Sequence, residues 1–265
     1  MKRGVWNYIL MAVSIVAFLI GSLDSFGYYR IDALQGAVNL PSLLLIVGGI
    51  FFQAFASFPS STIWAGMKEL RPTFSAKGSK AQEEELIDNV MELVRGLKAN
   101  KAAMVENIMN SPNQGFRTYI AELLSTNYSL EDIRILGTHK IHTMRQAETG
   151  PLRMVNGLAA ASPAYGMLGT LMGLIVMLSN FDSAQGLASG LAIALMTTFY
   201  GLLLAQFLWQ PLGKKLLAQM MYNQLRREVE LEAVLLTMMN KPELFIVDQL
   251  SSMVQARDGA STNNQ

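Results

Sequence analysis

The 265 residues include no cysteine, only two histidines, and charged side chains at just 15% of positions. Each shortage excludes something. Without Cys there is no disulfide, no thiol nucleophile and no thiolate-ligated zinc or iron–sulfur centre. Soluble domains carry about a quarter charged residues, so 15% charge beside 51% hydrophobic residues and a mean hydropathy of +0.27 points to a membrane. An excess of one sign is missing too. The 21 basic and 20 acidic residues leave a net +1, far from the concentrated positive charge that phosphate neutralisation needs, so nucleic-acid binding is not expected. His139 and His142 stand three apart on a helical pattern with no clear third ligand, which makes them surface residues rather than a metal site. No enzyme and no cofactor are expected. The 17 methionines are read as flexible packing.

What is present is a sharp segregation of charge. Four windows contain no charged residue: Gly4 to Leu23, Ala33 to Met67, Met154 to Phe181 and Ser183 to Gly213, with Asp182 alone between the last two. A hydrocarbon core of about 30 Å needs roughly 20 helical residues, so each window holds one spanning helix. A signal peptide is the competing reading of the first window, but no small-x-small cleavage site follows it. The segments after spans one and three carry a single basic residue, Arg30, against 20 elsewhere. By the positive-inside rule both termini and the long middle segment lie in the cytoplasm.

That middle segment, Lys68 to Arg153, has twelve basic and eleven acidic residues and reads as helix throughout. In EEELIDNVMELVRGLK the apolar positions Leu86, Ile87, Val90, Met91, Leu93, Val94 and Leu97 recur every three or four residues, the pattern of an amphipathic helix. Further helical stretches follow, AAMVENIM, GFRTYIAELLSTN and LEDIRILGTHKIHTMRQAE, punctuated by Ser111-Pro112-Asn113 and Asn127-Tyr128-Ser129. The expected class is all-α: a polytopic membrane protein with four transmembrane helices and a helical cytoplasmic domain between helices two and three. Its parts are residues 1–67 with spans one and two, the cytoplasmic 68–153, spans three and four in 154–213, C-terminal helices in 214–255, and a disordered tail at 256–265.

The third and fourth windows hold 28 and 31 residues, roughly 42 to 46 Å at 1.5 Å per residue, and are expected to project beyond the bilayer. Small residues form stripes on both. Pro163, Gly166, Thr170 and Gly173 share one face, with Gly169 and Gly173 as a small-xxx-small pair; Gly190, Ala194, Thr197 or Thr198, Gly201 and Ala205 share another. Such stripes let helix backbones approach closely in lipid. Ser162, Thr170, Thr197 and Thr198 are hydroxyls that each can bond their own helix carbonyls, yet together with Pro163 and Pro211 they can line a hydrated cation path. No Asp, Glu, Lys, Arg or His lies inside any window. The chain alone therefore cannot bind and release a proton, or neutralise a sodium ion, within the membrane. If it conducts, a partner must bring the charge.

The stretch ASPAYGMLGTLMGLIVMLSNFD, followed by GLASGLAIALMTTFYGLLLAQFLWQPLGKKL, resembles the flagellar stator A-subunit family, MotA and PomA, within a wider group that includes ExbB and TolQ. LLIVGG at Leu44 to Gly49 and NKPELFIVDQLSSM extend the resemblance over most of the chain. The four-span layout is that of the stator branch, since ExbB and TolQ have three spans. The resemblance implies a bacterial inner-membrane protein, five copies of which surround a dimer of a single-span B-type subunit (MotB/PomB-like) whose membrane aspartate carries Na+ or H+. It implies rotation of that ring against a flagellar rotor protein of the switch complex. It assigns coupling roles to Pro163 and Pro211 and ion-path roles to Thr170, Thr197 and Thr198, beside which Ser162 stands as a path candidate from the helix pattern alone. Threonine at both 170 and 198 resembles the sodium-driven PomA type more than the proton-driven forms. The rotor-contact pair of the family falls on Lys98 and Glu106.

Three departures are visible in the sequence. Lys98 replaces an arginine, which keeps the sign but loses the bidentate fork, and the glycine usual between the pair is absent. Asn39 stands where PomA-type proteins have an acidic residue, and DSFGYYRIDALQGAVN is longer than expected. A non-flagellar ion-driven motor, or an ExbB/TolQ-like energy-transducing subunit, is the alternative these departures leave open.

Overall fold

The computed structural model describes residues 40–64, 66, 79–111, 115–126 and 128–262. The first expected span, Asn39, and the segment between spans one and two lie outside these residues. The described residues include the α-helices α1 Leu40–Ser57, α2 Ser79–Ala99, α3 Lys101–Asn110, α4 Phe116–Ser125, α5 Leu130–Ser179, α6 Ala184–Leu203, α7 Gln210–Met238 and α8 Glu243–Thr262, with a π-helical turn at Leu204–Trp209 and further helical residues at 60–64. No strand occurs among the described residues. The two longest helical runs, Leu130–Ser179 and Ala184–Met238, are long and apolar enough to cross a membrane, and α1 is a shorter apolar helix.

Local sequence sets the helix ends. Phe58 precedes Pro59, where helical backbone is disfavoured, and α1 closes with the Phe58 amide on the Ala54 carbonyl at 3.1 Å. Ser129 and Asp132 form a capping box at the start of α5: the Asp132 amide donates to the Ser129 hydroxyl and the Ser129 amide to the Asp132 carboxylate, both at 3.2 Å. Asn100 caps α3 and Ser183 caps α6 through their side-chain oxygens. Gly115, with φ +43°, opens α4 in a conformation that side chains resist.

Two helices outrun their sequence windows. α5 continues without a break across Met154, where the charge-free window begins, and α7 runs on past Gly213. Charge marks those boundaries; backbone does not. α8 extends to Thr262, into the segment 256–265. Ile246, Leu250 and Val254 are buried and anchor α8, and a helix once nucleated adds one hydrogen bond per further residue.

The described residues form two compact units. One contains Gly150–Leu217 and the described part of Met1–Ala76; the other contains the described parts of Lys77–Thr149 and Ala218–Gln265. The first has its core in Ile46, Ile50 and Ala54 of α1, Met154, Val155 and Leu158 of α5, and Leu212 and Leu216 of α7. The second has two clusters that share α2. Leu93 and Leu97 join α3, α4, the first part of α5, and Leu231, Val234 and Leu235 of α7; Leu86, Val90, Met91 and Val94 join Leu225, Val229, Ala233 and Leu236 of α7 and the buried face of α8. The α2 stripe read from periodicity is thus the buried one, with Ile87 at its margin.

Candidate functional site

The small residues of α5 and α6 seal these two helices to each other. A Cβ added at Gly173 would sit 2.5 Å from the Ala194 amide nitrogen and 2.7 Å from the Gly190 carbonyl oxygen; one at Gly190 would sit 2.6 Å from the Met177 nitrogen. At Gly201 it would meet the Ser162 carbonyl oxygen at 2.7 Å, and at Gly166 the Thr197 carbonyl oxygen at 3.2 Å. These are backbone atoms, which have no rotamer with which to move away. Gly169 faces the Thr197 side chain, so the stripe on α6 runs through Thr197, with Gly190, Ala194, Gly201 and Ala205 also buried. On α1, Gly49 abuts the Tyr165 ring, which ties that helix to α5.

This packing sorts the four hydroxyls. Ser162 and Thr197 are fully buried. The Ser162 hydroxyl donates to the Leu158 carbonyl at 2.7 Å, and that of Thr197 lies 2.9 Å from the Ile193 and 3.0 Å from the Ala194 carbonyl. Thr170 and Thr198 are half-buried, donating to the carbonyls of Met167 at 2.6 Å and Ala194 at 3.4 Å. Each hydroxyl proton is spent on its own helix, which leaves oxygen lone pairs as the group available to a cation. The pair open to the surroundings is Thr170 and Thr198.

The two prolines act differently. Pro163 lies inside α5 and is half-buried; lacking an amide hydrogen, it leaves the carbonyl four residues earlier short of its usual donor. Pro211 follows the π-helical turn, in which the Gln210 amide reaches back five residues to the Ala205 carbonyl. The extra residue in that turn accommodates a ring that would clash with an α-helical carbonyl at i−4.

Lys98 and Glu106 lie in the other unit, both exposed, on α2 and α3. The Lys98 ammonium donates to the Lys241 carbonyl at 2.8 Å, so it caps the end of α7 as well as presenting charge. His139 and His142 are exposed on α5, and no group of three potential ligands that could hold a metal occurs among the described residues.

Sequence reasoning missed the buried ion pairs of this unit. Glu230, 3% exposed in its side chain, accepts from Arg117 Nε at 2.7 Å and faces Arg226 at 4.0 Å. Arg227 pairs with Glu148, whose carboxylate also accepts from the Asn223 amide at 3.4 Å. In RREVELE these charges look like an ordinary solvated face. The i,i+4 spacing of Arg226 and Glu230 was the one available signal, and the distant partners of Arg227 and Glu230, 79 and 113 residues away in sequence, gave none.

An all-helical membrane protein emerges, with long apolar helices locked by glycine and alanine, hydroxyls at the margin of the lock, and no Asp, Glu, Lys, Arg or His in residues 154–181 or 183–213. The description of the MotA/TolQ/ExbB proton channel family matches residues 100–231. Motility protein A of Treponema phagedenis is 30% identical over 202 residues, covering 76% of this chain and 77% of that protein. Chemotaxis protein PomA of Vibrio alginolyticus is 25% identical over 225 residues, covering 83% of this chain and 87% of that one. Among solved structures, C. jejuni MotAB matches with TM-score 0.80 at 21% identity over 96% of each chain, and the flagellar MotAB stator complex of Bacillus subtilis with TM-score 0.74 at 21% identity over 99% of each. The chain belongs to the MotA/TolQ/ExbB proton channel family, in which its relatives are the motility A proteins and PomA. This is a family of channel proteins, not of enzymes.

Proposed function

We propose that the chain is the ion-conducting, torque-generating A subunit of a bacterial stator, which converts ion motive force into rotation of the flagellar motor. The observation that carries this reading is a sealed helix pair with partly exposed oxygens at Thr170 and Thr198 and no carboxylate of its own. Half of an ion site is present. A single-span B-type subunit with a membrane Asp supplies the other half, as a dimer inside a ring of five A subunits in the inner membrane. The four-span layout, with both termini cytoplasmic and the helical domain between spans two and three, serves that arrangement. Pro163 and the π turn before Pro211 allow the two helices to flex as the ion passes, and Lys98 with Glu106 faces the rotor protein of the switch complex.

Sodium is preferred slightly over the proton, because a cation shedding water gains from two hydroxyl oxygens, whereas a proton needs a titratable relay. Thr170→Ala and Thr198→Ala, co-expressed with the B-type subunit, test this through motility and ion-driven growth suppression across sodium concentrations. The expected result is a rightward shift in the sodium dependence of both; unchanged function and unchanged ion dependence in both variants would refute it. One observation favours a second reading, a non-flagellar motor or an ExbB/TolQ-like subunit: Lys98 replaces the family arginine and its ammonium is engaged by Lys241. Deletion that leaves swimming intact but abolishes surface gliding or an outer-membrane process would support it.

A further inference from the structure

The inference deepens the stator reading of the chain and rests on it. Among the described residues, α5 and α7 are the two helices that run through both compact units, the division falling between Thr149 and Gly150 on α5 and between Leu217 and Ala218 on α7. They are not equally stiff there. On α5 the division coincides with Gly150-Pro151, both inside the helix. Glycine is a weak helix former, and Pro151 has no amide to give the Ala147 carbonyl, so α5 is compliant at this point. α7 has neither glycine nor proline from Lys214 to Met238.

One polar cluster ties the two helices within a turn of that joint. Glu148 accepts from the Arg227 guanidinium and, at 3.4 Å, from the Asn223 side-chain amide, whose own oxygen accepts from Gln219 Nε2 at 3.1 Å. Gln219, Asn223 and Arg227 stand four apart and so form one stripe on α7. The side chains of Arg227 and Glu148 are 6% and 18% exposed. Arg227 Nε and Nη1 and Glu148 Oε2 are buried with no protein partner. A pair buried with polar atoms left over gains little stability over apolar side chains of the same size, and the best attested use of such a pair is to fix register. The register it fixes here is that of α5 against α7.

We propose that Glu148 and Arg227, steadied by Asn223, are positioning residues that lock the segment of α5 before Gly150 to α7, so that movement of the membrane-spanning pair reaches the cytoplasmic unit through α7. A helix interrupted by Gly150-Pro151 bends where it is pushed and passes little of the push along its own backbone. The unbroken α7 transmits it, and the clamp makes residues 130–149 follow. Arg117 and Glu230 are a buried pair of the same kind in the same unit, but they join α4 to α7 and touch neither the joint nor α5. That second pair should matter for stability and not for transmission.

The test uses the full A–B complex. Glu148→Leu with Arg227→Met replaces the clamp by apolar side chains of similar size, and Arg117→Met with Glu230→Leu does the same to the control pair. Readouts are torque of tethered cells, ion-driven growth suppression, and copy number of the purified complex by size-exclusion chromatography. The clamp variant should lose torque severalfold with growth suppression and copy number as in wild type, and the control variant should keep its torque. Because the chain has no cysteine, Glu148→Cys with Asn223→Cys in the Arg227→Met background gives one bridging pair, and a membrane-permeant bismaleimide should restore torque to it. Normal torque in the clamp variant, an equal loss in the control, or a bridged variant as slow as the unbridged one would overturn the proposal. So would loss of growth suppression or copy number together with torque, which would reduce the pair to a folding role. A wild-type complex that neither suppresses growth nor turns a rotor at any sodium concentration or pH would sink the stator reading, and the proposal with it.

Discussion

Gly173 is where α5 and α6 come close enough that a single methyl group tests the packing. In Gly173→Ala the new Cβ would lie 2.5 Å from the Ala194 nitrogen, 2.7 Å from the Gly190 oxygen and 2.8 Å from the Ala194 Cα. Carbon contacts settle near 3.5–4.0 Å, so the helices must part by roughly 1 Å. The obstructing atoms are backbone, and no side chain can rotate to relieve them. Overpacking of this kind costs about 1–3 kcal/mol, partly offset by the gain of about 0.5–1 kcal/mol when Ala replaces Gly in a helix. The net is a loss of up to about 2.5 kcal/mol, and each 1.4 kcal/mol is about a factor of ten in the folding equilibrium. Gly48→Ala is the internal control, because nothing of this chain lies within 4 Å of a Cβ built there and within the chain only the helix gain applies. The assay is a heat series on the A–B complex in detergent, scored by the fraction that still elutes as an intact complex. Gly173→Ala should fall several degrees below wild type, at about 2–4 °C per kcal/mol for a chain of this size, and Gly48→Ala should match or exceed it. A midpoint for Gly173→Ala at or above that of Gly48→Ala would refute the close backbone approach.

The buried pair in the other unit gives a second test. Arg117→Ala leaves the Glu230 carboxylate buried with only Arg226 at 4.0 Å and should cost about 3–5 kcal/mol, less whatever water reaches the partly open Arg117 site, whereas the double change Arg117→Met, Glu230→Leu should recover most of that loss in chemical denaturation. Lys98→Met removes the hydrogen bond to the Lys241 carbonyl and should lower stability by about 0.5–1.5 kcal/mol, measured in the same way; an unchanged midpoint would mean the bond contributes nothing. Pro211→Ala restores an amide donor and removes the reason for the π turn, so the segment Leu204–Trp209 should revert to α-helix and become more protected in hydrogen exchange, with torque reduced.

Much of the architecture was legible without coordinates. Three of the charge-free windows, the second, third and fourth, fall on described apolar helices because charged side chains are excluded from hydrocarbon by their own solvation energy, and periodicity located the buried face of α2 because Leu86, Val90, Val94 and Leu97 can all reach the core only if they share a stripe. Glycine spacing indicated a close helix contact. It did not say which threonine of the adjacent pair lay inside it: Thr197 and Thr198 differ by one position, a rotation of about 100°, and only the partner helix chooses between them. The chemistry of the candidate site was legible chiefly as an absence, a hydroxyl-bearing helix pair with no acid.

Composition and order of residues by themselves determined that this is a helical membrane protein, where the apolar helices of the described residues run, and that the charge-free windows hold no carboxylate. Those conclusions depend on local quantities: hydropathy, period and charge. The tertiary structure alone decided that Thr197 is sealed against Gly169 while Thr170 and Thr198 keep partial access, that Glu230 and Arg227 are buried partners instead of a solvated face, and that Lys98 holds the Lys241 turn. Each depends on a contact between residues far apart in the chain, and a linear pattern carries no information about which distant backbone will stand opposite.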